Sequence, residues 1–232
     1  MKRFWKEVTI VASDDGLSIA LDDRPVRTPG RALLAVPTRA LIDAIADEWR
    51  GVGATIDPRA MPLTGLANAA IDRVATDPIG FAAGLTAYGE SDLLCYRAEA
   101  PPPLVDRQNA TWNPVLDWAR ARYDVHFAVT AGIIHTPQPP ATLARLADAL
   151  AARTPFELAA LSPIVTISGS LVLALMLAEG AIDPDAAWNA AHLDEQWQAQ
   201  MWGEDDLAIG AREARRQDFN AGVQFLEALK AA

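Results

Sequence analysis

The sequence predicts an α+β chain: a small N-terminal antiparallel β-rich domain, residues 1–60 with one helix near 38–50, followed by a larger all-α helical domain, residues 61–232. Three observations predict it. Apolar residues alternate with polar or small ones, between turn signals, up to Val36. From Thr38 onward the apolar spacing becomes that of a helix face. The composition is that of a folded chain rich in helix formers, 51% hydrophobic and only 7% aromatic.

Val8-Thr9-Ile10-Val11-Ala12 and Leu17-Ser18-Ile19-Ala20-Leu21 flank Ser13-Asp14-Asp15-Gly16, which reads as a β-hairpin. Asp22-Asp23-Arg24-Pro25 is a second turn, leading to a strand at Val26-Arg27-Thr28, and Leu33-Leu34-Ala35-Val36 supplies another. Thr38 then N-caps a helix whose apolar face is Leu41, Ile42, Ile45, Ala46 and Trp49, ended by Gly51 and Gly53. Pro62 to Val74 repeats the helical spacing, and Asp77-Pro78 caps the next helix. Pro101-Pro102-Pro103 precedes a helix from Leu104 to Tyr123, Val125 to Val129 reads as a short extended piece, and the prolines at 137, 139 and 140 precede a helix from Ala141 to Ala152. Asp183-Pro184 opens a long helix reaching Trp202-Gly203, and Asp205 to Leu229 forms the last one.

With 20 Lys+Arg against 30 Asp+Glu, the net charge of −10 disfavours nucleic-acid binding, which needs clustered cations to neutralise phosphates. Cys95 is the sole cysteine, so an internal disulfide, a Cys-rich zinc site and an iron–sulfur cluster are all excluded. Glu7 interrupts the N-terminal stretch before an apolar run develops, which argues against a signal peptide and for a cytoplasmic or already processed chain. Leu158 to Ala178 carries no charge, yet Ser162-Pro163, Thr166 and Ser168-Gly169-Ser170 place polar and helix-breaking groups at its centre. A buried helix interrupted near Pro163 or Gly169 is expected there, with no membrane insertion.

Chemistry-bearing residues are few. The chain has three histidines far apart, no Gly-x-Ser-x-Gly elbow, no dinucleotide fingerprint, and only three lysines, none in a phosphate loop. No cofactor is expected. His192 and Glu195 are three apart on a helix but have no second matching pair to complete a metal site. Glu90-Ser91-Asp92 reads first as a cap or turn. Glu204-Asp205-Asp206 follows Trp202-Gly203, where the acids complement the positive end of the last helix. They would equally form a partner-facing patch beside the tryptophan.

Collinear strings from residue 3 to about 226 carry a resemblance. They include Arg3-Phe4-Trp5-Lys6, Leu21-Asp22-Asp23-Arg24-Pro25-Val26, Glu48-Trp49, Met61-Pro62-Leu63-Thr64 and Ala70-Ile71-Asp72-Arg73-Val74. Further along come Ser91-Asp92-Leu93-Leu94-Cys95-Tyr96-Arg97, Gly169-Ser170-Leu171, Leu193-Asp194-Glu195 and Trp202-Gly203. Together they resemble the bacterial and mitochondrial F1-ATPase α-subunit assembly chaperone family. The pattern departs from the family at Asp23, Gly65, Ala69 and Leu207.

The resemblance implies a β-rich domain joined to a larger helical one. It also implies a non-catalytic protein, without cofactor, that binds the unassembled α subunit of F1-ATPase and shields its subunit interface. Family equivalents work in the mitochondrial matrix. An acid just after Trp-Gly is linked to that activity, so the expected partner-binding residues are Asp206 first, then Glu204, with Asp205 and Trp202. Asp92 and Arg97, with Tyr96, are expected to line a groove between the domains and to bind the partner there. The competing expectation is a small-molecule hydrolase using Asp92, His192, Asp194 or the Glu204 cluster, which would need them to converge in one cavity.

Overall fold

The computed structural model describes residues 2–231. Strands β1 (Val8–Ser13) and β2 (Gly16–Leu21) pair antiparallel in the register Val8↔Leu21 to Ser13↔Gly16, as the alternation predicts. Gly16 is obligatory at the turn: its φ is +127°, and a Cβ there would stand 2.6 Å from the Val36 carbonyl oxygen. Asp22 and Asp23 both take positive φ, the signature of a primed hairpin turn. The Asp22 carboxylate fixes this turn by accepting from the backbone N–H of Lys6 and Glu7. β2 is the central strand, pairing also with β3 (Arg24–Pro25) and β4 (Ala35–Val36). The strand expected at Val26–Thr28 is reduced to one bridge, Arg27↔Leu33, because Thr28 and Gly30 are drawn instead into a turn held by Asp72.

Helix α1 (Arg39–Gly51) begins where the period changes. Thr38 caps it by accepting from Leu41 N–H, and Leu41, Ile42, Ile45 and Ala46 are its buried face. Glu48 of α1 reaches the start of α2 (Pro62–Ala69), accepting from Leu63 N–H at 2.7 Å, Thr64 N–H at 2.8 Å and the Thr64 hydroxyl at 2.7 Å. A carboxylate from another helix thereby satisfies donors that every helix start leaves unpaired. α2 widens into a π turn at Ala70–Val74. From this turn Asp72 accepts from the Thr28 hydroxyl at 2.6 Å and from Gly30 N–H at 2.7 Å.

The remaining elements are mostly helical. In order they are α3 (Pro78–Glu90), a 3₁₀ turn at Leu93–Cys95, β5 (Tyr96–Arg97), α4 (Pro102–Tyr123), β6 (Thr130–Ala131) and α5 (Pro140–Ala151). There follow α6 (Pro155–Ser168), α7 (Leu171–Ala178), α8 (Pro184–Ala191), α9 (Leu193–Trp202) and α10 (Asp206–Lys230). β6 pairs parallel with β5 and lies just past the Val125–Val129 stretch that reads as extended. The apolar run from Leu158 is two helices broken at Gly169, whose φ is +65°, while Pro163 stays inside α6. No helix among the described residues is long and apolar enough to cross a membrane.

The single helix expected from Pro184 to Trp202 is corrected to two, α8 and α9. The chain leaves helical geometry at His192, whose ring stacks on Trp188 with centroids 3.7 Å apart while Nδ1 contacts the Trp188 carbonyl at 2.9 Å.

Packing divides the chain into two units. The first holds the sheet, α1 and α2 through Pro78, with Thr154–Ala160 and the chain from Ala221. In it the Thr38 hydroxyl donates to the Ala228 carbonyl at 2.7 Å, and Phe156 stacks on the buried Phe225. The second comprises Ile79–Arg153 and Leu161–Asn220. Its core includes the wholly buried Trp112, Leu146, Leu150, Phe219 and most of α7. The Trp112 indole donates to the Ala190 carbonyl, tying α4 to α8.

Candidate functional site

The corner between α9 and α10 brings four of the expected residues together. α9 stops at Gly203, whose backbone (φ +81°, ψ 178°) lies in a region open essentially only to glycine. The three acids that follow do different things. Glu204 is gripped by both terminal nitrogens of Arg212, nearly two turns into α10. Asp205 caps α10 by accepting from Ala208 N–H at 2.7 Å. Asp206 occupies the first turn of α10, exposed, and its carboxylate has no hydrogen-bond or ion-pair partner among the described residues. Its charge also lies at the positive end of the helix dipole, where an anion is favoured.

Apolar side chains surround that free carboxylate. Trp202 is 79% exposed and Leu207 87% exposed, with Met201 and Ile209 also open to solvent. A helix pair normally buries one stripe against its own core, yet Met201 to Ala211 is exposed at every position. Between the two helices runs a groove of about 440 Å³, lined by Glu195, Trp202, Glu204, Arg212 and Arg215 among others. Arg215 donates to both oxygens of Glu195, so the groove is braced by two ion pairs, Glu204–Arg212 and Glu195–Arg215. With those charges matched, Asp205, hydrogen-bonded only to a backbone N–H, and the unpartnered Asp206 leave net negative charge among exposed apolar groups.

Asp92 and Arg97 are not part of that corner. Asp92 is fully enclosed, accepting from Leu94 N–H and Val172 N–H at 3.1 Å each, so one carboxyl joins the 3₁₀ turn to the start of α7. Burial pushes its pKa up to about 6, against the opposing pull of those backbone bonds and of Ser170. Arg97 is buried against α4, donating to the Gln108 carbonyl and the Asn113 side chain at 3.0 Å each, with its guanidinium 5.0 Å from the centre of the Trp112 ring. Burial pulls its pKa down. Both side chains are committed inside the second unit, although the buried Arg97 Nε has no hydrogen-bond partner there.

The residues considered for hydrolysis are also dispersed. His192 is buried and stacked, with burial lowering its pKa. Asp194 accepts from Gln108 Nε2, and Glu204 is held by Arg212. No group of three metal-ligating side chains occurs among the described residues.

Sequence reasoning did not single out Met201, Ile209, Arg212 or Arg215. Only the Met201-Trp202 adjacency carried a local signal. Glu204 and Arg212 are eight apart, beyond the helical i,i+4 rule that would pair them.

A family profile described as ATP12 chaperone protein matches residues 2–120. The mitochondrial protein atp12 of Schizosaccharomyces pombe is 25% identical over 220 residues, covering 87% of this chain and 74% of that protein. The crystal structure of Atp12 from Paracoccus denitrificans is 41% identical, covers 99% of this chain and 98% of that one, and superposes with a TM-score of 0.94. An aspartate-to-lysine mutant of the same protein superposes equally well, again with a TM-score of 0.94. The Atu1473 protein of Agrobacterium tumefaciens is 42% identical, covering 99% of this chain and 86% of that one, also at 0.94.

Proposed function

The chain belongs to the ATP12 chaperone family, whose members are chaperones of ATP synthase assembly, and on that premise we propose that its client is the unassembled α subunit of F1-ATPase. The α9–α10 corner is the contact: Trp202, Met201 and Leu207 supply apolar area, and Asp206 supplies the charge that selects the client surface. One observation carries this reading. A continuous stretch of two helices, Met201 to Ala211, is exposed all round and includes large apolar side chains, with a free carboxylate among them. Exposed apolar surface of that kind marks an interaction site, and the mixture of apolar area with unmatched negative charge suits a client that must be held and then handed on.

In this reading Glu204 and Asp205 shape the corner, one through Arg212 and the other as the cap of α10. Asp92 and Arg97 keep the supporting helices in place. The hydrolase alternative has no observation in its favour, since Asp92, His192, Asp194 and Glu204 are each committed to separate internal contacts.

Co-purification from cells expressing the F1 subunits tests the proposal. Recovery of free α subunit without the intact synthase is the expected result. Absence of α from the captured material at both low and moderate salt would overturn it.

A further inference from the structure

The first half of α10 is fastened to its unit almost without apolar contact. From Asp206 to Asp218 every residue is exposed except Arg212 and Arg216, which are part-buried. Apolar anchorage begins only at Phe219, wholly buried with its ring centroid 5.4 Å from that of Trp188. A helix in a globular unit ordinarily buries an apolar stripe. Three arginines take its place here. Arg212 pairs with Glu204 of the α9–α10 turn, Arg215 with Glu195 of α9 at 3.0 Å, and Arg216 with Asp185 of α8. The Arg216 guanidinium also lies 4.8 Å from the centre of the Trp188 ring.

Arg212 stands three residues before Arg215 and four before Arg216, so the three share one face of α10, where like charges repel. Glu213 and Asp218, the acids of the same stretch, are exposed and pair with none of them among the described residues. The cationic face is therefore matched only by acids from outside the helix. α9 is held by other means. Gln108 of α4 donates to Asp194 at 2.8 Å, Arg107 donates to the Gln200 side chain at 3.0 Å, and Leu193 is buried. Between the two helices, Gly203 has open space where a Cβ would stand, so no packing stiffens the joint. α9 is thus the fixed wall of the groove, and α10 is the wall that ionic contacts keep in place.

We propose that Arg212, Arg215 and Arg216 are positioning residues for client binding, an ionic strap that holds the first half of α10, with Asp206, Leu207 and Ile209 on it, beside Trp202. The proposal rests on the assignment of the α9–α10 corner as the client contact and adds how that contact keeps its shape. A single exposed ion pair contributes little, but several in one network contribute together. Released from its acids, the segment is a short helix with clustered cations and no buried face, which is marginal in water. The client surface exists while the strap is closed, and salt loosens it by screening the exposed pairs.

Hydrogen exchange on the full chain, with no client present, reads the strap directly. Amides from Gly210 to Asp218 should exchange about tenfold faster or more at about 0.5 M NaCl than at about 0.02 M, while those from Val223 to Leu229 stay within about twofold. Glu195→Arg sets two cations against each other and should bring the same acceleration at low salt. Adding Arg215→Glu reverses the pair and should restore protection to within about threefold of the wild type. Isolated F1 α subunit, titrated at low salt, should bind the Glu195→Arg chain about fivefold more weakly and the double variant within about twofold of the wild type. The rescue separates positioning from packing, because neither side chain is buried and the reversed pair adds no apolar contact. Salt-independent exchange from Gly210 to Asp218, or a double variant no better protected than the single one, would overturn the strap. The salt comparison on the wild type carries that decision alone if Glu195→Arg does not fold. Faster exchange with unchanged α affinity would overturn the positioning role. A wild-type chain that binds no α would overturn the client assignment and the positioning role with it, and the exchange result would still decide the strap.

Discussion

Arg212 holds the carboxylate of Glu204 with both terminal guanidinium nitrogens, and the neighbouring Asp206 is left without a partner. One acid of a consecutive trio is therefore neutralised, one is a cap, and one carries free charge. The trio looks uniform in the sequence but divides by function once the corner has formed.

Asp206→Lys should leave cooperative unfolding intact, with the denaturation midpoint changed by less than about 1 kcal/mol in stability, because the side chain is exposed and only the helix-dipole interaction is lost. Suppression of α-subunit aggregation should fall to background. A variant that unfolds the α9–α10 corner by circular dichroism or hydrogen exchange would show the acid to be a cap and not a contact.

Glu204→Gln frees Arg212 and should cost at most about 1 kcal/mol, the usual worth of a surface ion pair. Because it alters the groove without removing the free charge, α binding should weaken less than in Asp206→Lys. A titration of α against both variants checks the order.

Gly203→Ala meets no neighbouring atom within 4 Å, so its effect is purely torsional. Forcing an alanine to φ +81° and ψ 178° should cost about 1–3 kcal/mol. Hydrogen exchange at the start of α10 should accelerate, and client binding should fall even though no contact residue has changed.

Asp92 should titrate with a midpoint of about 6 when followed by carboxyl carbon NMR. Its folded pKa lies above the ordinary aspartate value of 3.8. Stability from this group is therefore fully present below pH 3.8 and is lost as pH rises through about 6. The difference corresponds to about 3 kcal/mol. Asp92→Asn carries a constant penalty, since replacing one carboxyl oxygen by an NH2 donor leaves either Leu94 N–H or Val172 N–H without an acceptor. Relative to wild type, however, it should gain about that much between pH 4 and pH 7 in denaturant titrations. A pH-independent difference would show that the carboxyl is not the group responsible.

Glu48→Ala removes three hydrogen bonds at the start of α2 and should cost about 2–3 kcal/mol, read from the urea midpoint at constant m. Gln in its place should recover part of that loss through its single carbonyl oxygen.

Local signals carried most of the fold. Turn residues at Asp14-Asp15-Gly16, the cap at Thr38 and the glycine at 169 each act within a few residues, so they are visible in the sequence. The division of α8 from α9 was not, because neither glycine nor proline marks it. The break is marked only by the backbone at His192 (φ −109°, ψ 20°), beside a Trp188–His192 stack four residues apart that a continuous helix would also allow. The capping of α2 by Glu48 and the tie from Asp72 to Thr28 join residues 15 and 44 apart, where no spacing rule applies. Within the candidate site, an acid beside Trp-Gly was legible as a pattern. Which acid stays free depended on Arg212. The burial of Arg97 was illegible for the opposite reason: a cation reads as surface unless its neutral acceptors, here Gln108 and Asn113, are known to surround it.

The first packing unit closes on itself only with residues from Ala221 onward, through Thr38 on Ala228 and Phe156 on Phe225. During vectorial synthesis its sheet and first helices leave the ribosome long before the segment that completes their core. The early chain must wait in a partly open state, and late-formed contacts of this kind slow folding. A chain truncated before Ala221 would therefore lose the hydrophobic floor of the sheet and first helices, so these two distant segments are obliged to mature together.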